Sequence, residues 1–266
     1  MTLHDVRLQP GRRHSAWPGG RPRPGFALDL GSARTRAWAP GRGVIFDVPT
    51  VTFPGAGAIH PIQRGTVVDP EGTSRMIDRL LGRHLPRFRR PVIVLTTPVL
   101  GGPNHRSALR TAMEVLRPRG VLTVPGPKAV AIAARGDTTG PLLVVDIGAH
   151  LTEVALLIDG AVADAYHTAL GTIDLDGSTT ERDLGRSVAS MVTDMLRRDR
   201  TGQTLNALQQ GVLLAGGGAL RPACVYDIAS RLDTDVRPVA APHTAALRGA
   251  ARLLQSATGR RGATVP

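Results

Sequence analysis

Two aspartates stand in matching contexts. Asp29 closes the run Phe26-Ala27-Leu28-Asp29-Leu30-Gly31-Ser32, and Asp146 closes Leu142-Leu143-Val144-Val145-Asp146-Ile147-Gly148. A carboxylate at the end of an apolar strand, beside a glycine turn, suits phosphate chemistry. The glycine lets backbone N–H groups come close to oxygens, and the carboxylate can hold a metal ion or its water. A third apolar run, Val212-Leu213-Leu214-Ala215, ends in Gly216-Gly217-Gly218. The repeated aspartate turns and the triple glycine together point to a nucleotide cleft built from duplicated halves.

The elements that must position these residues also repeat. Strand 26–30 leads into a hairpin, 35–39 with 44–47, turned by Pro40-Gly41-Arg42-Gly43. Helix 73–84 follows, with Met76, Ile77, Leu80 and Leu81 at helical spacing, then strand 91–96, helix 104–116, a short strand 121–124 and helix 128–135. The second pass runs strand 142–147, a hairpin of 152–158 with 161–168 turned by Asp159-Gly160, helix 180–197, a short helix near 202–210, strand 212–215, helix 219–231, strand 235–239 and helix 243–255. Each half reads βββαβα plus a final α. A topology repeated in order is stronger evidence than a short pattern, and a cleft between two such halves is the natural ligand site.

Composition bounds the partners. The 266 residues suffice for one or two domains with substantial cores, and no apolar run reaches membrane-spanning length. The first residues lack the apolar middle of a signal peptide, which predicts a cytoplasmic protein. Cys224 is the only cysteine, which excludes internal disulfides and argues against a cysteine-based zinc site; it reads as a small buried residue of a helix. Net charge is +12, and Lys128 is the only lysine, so the basic charge is nearly all arginine. Residues 1–25, with Arg12, Arg13, Arg21 and Arg23 among Pro and Gly, and residues 256–266 read as disordered basic tails. Aromatics make up only 3% of the chain, too few for a stacking platform, which argues against nucleic acid as the main partner. Arginine-rich tails suit an anionic membrane surface better.

The motifs, in order, resemble the actin–Hsp70–sugar-kinase superfamily and, within it, the bacterial actin homologue MreB. Asp29-Leu30-Gly31-Ser32-Ala33-Arg34-Thr35 resembles the first phosphate loop, and Val48-Pro49-Thr50-Val51 the segment after the first hairpin. Asp146-Ile147-Gly148-Ala149-His150-Leu151-Thr152-Glu153-Val154 resembles the second phosphate loop, Leu214-Ala215-Gly216-Gly217-Gly218-Ala219-Leu220 the adenosine loop, and Ala241-Pro242-His243-Thr244-Ala245-Ala246 the second connecting segment. The similarity runs from about Gly25 to Leu254. It implies an α/β fold of two ribonuclease-H-like, actin-like ATPase halves around a nucleotide cleft: residues 26–141 joined by helix 243–255, and residues 142–242. It also implies ATP and Mg²⁺ as ligands. Asp29 and Asp146 would hold the metal through water. Ser32, Ala33 and Arg34, with Gly148, Ala149 and His150, would face phosphate, and Gly216, Gly217, Gly218 and Ala219 would face adenosine.

The departures from the family are as informative. Ala149, His150 and Leu151 stand where the family has glycine followed by threonines, so the second loop gains β-carbons and loses a hydroxyl. His150 either donates to phosphate or narrows the pocket. In the first connecting segment Val124-Pro125-Gly126-Pro127 puts Gly126 where the family carries the acid that positions the attacking water; losing such a group costs about 10²–10⁴ in rate. ATPase activity is therefore expected to be lost or very weak. Arg36 falls where eukaryotic actin has a lysine near the phosphates. Only Phe53–Arg64 fills the space of the first outer subdomain, and almost nothing precedes Val212 where the second belongs, so subdomains IB and IIB are reduced or absent. Autonomous filaments are accordingly not expected.

Three classes of function remain open. One is a degenerate cell-shape protein, a scaffold or regulator working with a full-length MreB or a wall-synthesis complex. The second is an active ATPase or small-molecule kinase, for which Asp69, Asp174 and Asp176 are acids by type, though all three also suit helix starts. The third is a basic module binding membrane or nucleic acid.

Overall fold

The computed structural model describes residues 24–53, 57–85, 90–135 and 140–258. The two arginine-bearing tails, except for 24–25 and 256–258, lie outside the described residues. The chain forms two separate five-stranded sheets with the same internal order, so the duplication read from the sequence is a duplication of sheets.

In the first half β1 (Gly25–Leu30) lies at the centre. It pairs antiparallel with β2 (Arg34–Ala39), which pairs with β3 (Gly43–Pro49). On its other side it runs parallel to β6 (Val92–Thr97), which runs parallel to β7 (Gly120–Pro125). Such a central strand is covered on both faces, which is why it reads as a continuous apolar run. A two-stranded hairpin, β4 (Ile62–Gln63) with β5 (Thr66–Val67), stands alone after β3. The helices are α1 (Pro70–Leu81), α2 (Gly102–Met113) and α3 (Gly126–Arg135).

The second half repeats this. The order β10-β9-β8-β11-β12 comprises β8 (Pro141–Ile147), β9 (Thr152–Ile158), β10 (Ala161–Thr168), β11 (Val212–Gly216) and β12 (Val236–Pro238). Its helices are α4 (Glu181–Arg198), α5 (Gln203–Gln209), α6 (Pro222–Leu232) and α7 (Ala245–Ala257). Each half therefore has a fifth strand before its last helix, and reads βββαβαβα once the short extra elements are set aside.

Helix boundaries move for local reasons. α1 starts three residues earlier than its apolar spacing suggests, because Asp69 caps it, accepting from Gly72 N–H at 2.7 Å, and Pro70 opens the first turn. Residues Gly82–His84 tighten into a 3₁₀ turn. Asp69→Ala should cost about 1 kcal/mol, a fall of roughly 2–4 °C in melting temperature, measurable by thermal denaturation. α4 is capped by Thr180 in a capping box with Asp183, not by Asp176. Asp176 instead accepts from Ser178 and Thr179 in the preceding turn. Gly217–Leu220 and Pro242–Thr244 form 3₁₀ turns ahead of α6 and α7, and α7 extends through Ser256 and Ala257, beyond the helix end at 255 that the sequence predicts.

Two small-residue helices join the halves. α3 and α7 lie between the two sheets. Val130, Ala131 and Ala133 pack on β8, β9 and β11, and Ala129 shares a core with Leu247, Ala250, Ala251 and Leu254 of α7 against β1 and β6. α7 follows the second half but packs on the first. The outer faces are covered by α1 and α2 in the first half, and by α4 and α6 in the second.

Candidate functional site

The cleft lies between the strand ends of the two sheets and encloses about 310 Å³. That is near the lower end for small-molecule sites. Two loops built alike form its floor. Gly31 N–H donates to Arg34 O at 3.0 Å, and Gly148 N–H donates to Leu151 O at 2.8 Å. At both glycines a Cβ would crowd that same carbonyl, at 3.1 and 3.0 Å, so each loop needs glycine for its own closure. Thr50 buttresses the first loop, its hydroxyl donating to Gly31 O at 2.7 Å. Thr172 N–H donates to Gly148 O at 3.0 Å and does the same for the second.

Asp29 and Asp146 both line this cleft. Asp29 accepts from Thr96 Oγ1 at 2.7 Å and pairs with Arg36 at 3.3 Å. Asp146 is partly buried at the cleft wall; desolvation, then the negative charge of Asp29, push its carboxyl up to about 7, against a weaker opposing pull from Arg36. Arg36 also pairs with Asp47 at 3.1 Å, so its charge is shared away from the cleft. The floor thus brings two carboxyl groups together beside Arg36, whose charge is shared with Asp47. That donor set fits a divalent cation held by carboxylates, directly or through water.

Glu153 is the site residue the sequence reading passed over. It stands opposite Asp146 in the β8–β9 register and lines the same cleft. Its Oε1 accepts from Val99 N–H of the first half at 2.6 Å. Burial first, and Asp146 second, push its carboxyl up to about 8. The register was the available signal: residues facing each other across an antiparallel pair point to one side of the sheet.

The MreB/Mbl protein family matches residues 52–182. The cell shape-determining protein MreB of Escherichia coli K12 is 28% identical over 171 residues, covering 52% of this chain and 49% of that protein. The fold agrees with MreB5 of Spiroplasma citri bound to AMPPNP (TM-score 0.77, 14% identity, 90% of this chain and 97% of the other). It agrees also with the MamK double helical filament (TM-score 0.71, 17% identity, 88% and 99%). This chain is MreB-like over residues 52–182 and has the fold of the actin-like proteins. The match spans about half the length of the curated relatives.

Within this MreB-like frame the sequence-read residues separate. Ser32, Ala33, Arg34, Gly148, Ala149, Gly216 and Gly217 line the cleft. Arg34 does so with its guanidinium held by Asp47 at 2.5 Å, half-exposed on β2. His150, Gly218 and Ala219 lie off the cleft wall. The His150 ring stands in the electrostatic company of Asp174, Arg64 and His60, and burial and Arg64 hold it below the ordinary imidazole range despite Asp174. Gly218 and Ala219 are buried behind the loop, with Ala219 in the second-half core.

The triple glycine divides by role. A Cβ on Gly216 would fall on the Ile147 carbonyl, and its φ of +81° already favours glycine. A Cβ on Gly218 would fall on the Ile147 side chain. At Gly217 a Cβ would meet only Thr172, at 3.7 Å, on the cleft side.

The small β4–β5 hairpin closes over the second loop. Arg64 and Gly65 form its turn with φ of +46° and +74°. The Arg64 guanidinium crosses to the second half, bonding Asp174 at 2.8 Å and the Ala169 carbonyl. Asp174 also accepts from Gly171 N–H at 2.9 Å, and Arg64 holds its carboxyl below the usual range against the effect of burial. Beneath, a Cβ on Gly65 would lie 2.9 Å from Leu151 Cδ2, so the hairpin tip rests on Leu151. Leu151 and Asp174 are thus parts of a clasp between the halves. Asp69 and Asp176 cap local structure, as described above. Among the described residues no helix is long and apolar enough to cross a membrane, and Cys224 is buried in α6.

Proposed function

We propose that this MreB-like chain is a cell-shape protein that takes a magnesium-bound adenine nucleotide weakly in its cleft and works as a scaffold or regulator of wall morphogenesis. The observation that carries the reading is the pairing of Asp29 and Asp146 over two glycine loops of identical internal bonding. Bound Mg²⁺ would neutralise phosphate charge beside these carboxylates, and Gly217 would admit the nucleoside. Weak binding follows from the second loop. Ala149 adds a β-carbon at the cleft wall, and Leu151 serves the hairpin clasp where the family has a hydroxyl. The small hairpin in place of subdomain IB, and the direct passage from α5 into β11, remove surfaces that would support filaments. The chain on its own is therefore expected to stay unassembled and to act beside a full-length homologue, with its basic tails adding attraction to anionic lipid.

Isothermal titration calorimetry with MgADP and MgAMPPNP tests the reading. The expected result is a 1:1 isotherm with Kd in the micromolar range or weaker, lost in Asp146→Asn. No heat with either nucleotide would remove the nucleotide part of the proposal. Sedimentation with MgATP should leave the purified chain in the supernatant; a robust pellet would remove the assembly part.

A further inference from the structure

Gly126 opens α3 directly beneath β7, at the place where the family resemblance puts a water-positioning acid. A Cβ built on Gly126 would lie 3.6 Å from Asp146 Oδ2, 3.7 Å from Glu153 Oε2 and 3.8 Å from Thr97 O. These are ordinary contact distances. The position is therefore not glycine for lack of room at its β-carbon, and two carboxylates already face it from the other half.

Of the two, Asp146 belongs to the proposed metal site. Glu153 has a different arrangement. Its Oε1 is tied to Val99 N–H across the cleft floor, which fixes the side chain, and its Oε2 is the oxygen that faces the room above Gly126. A carboxylate anchored through one oxygen, with the other turned into a phosphate-binding cleft, has the geometry of a general base. We infer that Glu153 is a catalytic residue of this chain, supplying from β9 the water-orienting carboxylate that Gly126 does not supply from α3. The inference rests on the nucleotide reading proposed above.

The chemistry balances without a further reactant. A water seated between Gly126 and Glu153 Oε2 attacks the γ-phosphorus of a nucleoside triphosphate. The new phosphorus–oxygen bond forms as the bond to the β–γ bridging oxygen breaks. The electron pair of that bond leaves with the nucleoside diphosphate, and the proton of the water passes to Glu153 Oε2 and then to solvent. Gly126 contributes by being small. An acid added at 126 would stand against both Glu153 and Asp146, and like charges in a buried site repel.

The alternative role for Glu153 is structural, a pin between the halves through Val99. Glu153→Gln separates the two, because the amide oxygen can still accept from Val99 N–H while the base is gone. Three readouts on the full chain are compared: affinity for MgAMPPNP by calorimetry, melting temperature, and single-turnover hydrolysis of MgATP. E153Q is expected to keep affinity within about twofold and its melting temperature unchanged, while hydrolysis falls by about 10²-fold, the lower end for loss of a general base. Placing the acid at the family's position, G126E in the E153Q background, should recover at least tenfold of that loss; G126E alone should give no gain. Should E153Q fail to fold, Glu153→Asp carries the test. It keeps the carboxylate but withdraws it by one methylene, and an intermediate rate is expected at unchanged affinity.

Wild-type hydrolysis rates in E153Q, or in E153D where that variant carries the test, would overturn the inference. So would nucleotide binding by the wild-type chain with no hydrolysis at all. Absence of nucleotide binding would instead overturn the reading beneath it, and with it this one.

Discussion

Gly249→Ala is expected to destabilise the protein by about 3 kcal/mol, although alanine is the better helix former by about 1 kcal/mol. The reason lies in the crossing of α3 and α7. A Cβ on Gly249 would fall on the backbone of Ala129, at the Ala129 carbonyl, which is not a side-chain end that can swing away. Any added carbon must push the helices apart, and these helices lie between the two sheets. Separating them disturbs the core of Ala129, Leu247, Ala250 and Leu254 and the core of Val130, Ala131 and Ala133 together. For a chain of this size about 3 kcal/mol is a fall of roughly 6–12 °C in melting temperature. Gly120→Ala is the control: that glycine has nothing within 4 Å of a built Cβ and no positive φ, so its melting temperature should hold or rise slightly. An unchanged or raised melting temperature in Gly249→Ala would mean that α3 and α7 do not cross this closely in solution.

The same crossing shows what sequence does and does not display. The strands at Phe26–Leu30 and Leu142–Ile147 announce themselves, because a strand covered on both faces is apolar throughout. The Asp159-Gly160 turn is legible for a local reason: both residues adopt positive φ, +49° and +73°, and that pair suits this conformation. The alanine-rich stretches of α3 and α7 read as helices, but nothing in them says that they touch each other 120 residues apart. Long-range contacts of small residues leave no period in the chain.

The cleft divides in the same way. Asp29 and Asp146 are visible because each ends a strand beside a glycine. Glu153 is not, because its meaning comes from a hairpin register and from a bond to Val99 in the other half. In the sequence Leu151 looks like damage to a phosphate loop, and Asp174 like a candidate kinase acid or a helix start. Only the position of the Arg64-Gly65 turn makes them parts of one clasp. The count of glycines in 216–218 overstates the ligand site, since two of the three answer to the packing of β11 on Ile147.

That division yields the second large effect. Gly217→Val is expected to lower affinity for MgADP by roughly 30- to 150-fold and to leave the fold intact. At Gly217 φ is not positive, and the nearest atoms to a built Cβ are Thr172 Oγ1 and Cγ2, at 3.7 and 4.0 Å, so the protein itself accommodates a side chain. What the valine enters is the cleft that both residues line. Forcing two methyl groups into space a ligand must fill costs on the order of 2–3 kcal/mol, and each 1.4 kcal/mol is about tenfold in Kd. Gly216→Val and Gly218→Val should behave differently. Their side chains would strike Ile147, on the carbonyl and on the side chain respectively, so both should lose melting temperature before affinity is even measured. Calorimetry paired with thermal denaturation on the three variants separates the roles. Unchanged affinity in a folded Gly217→Val would mean that this glycine loop is a strand-to-helix turn and nothing more, and the nucleoside would have to be sought elsewhere in the cleft.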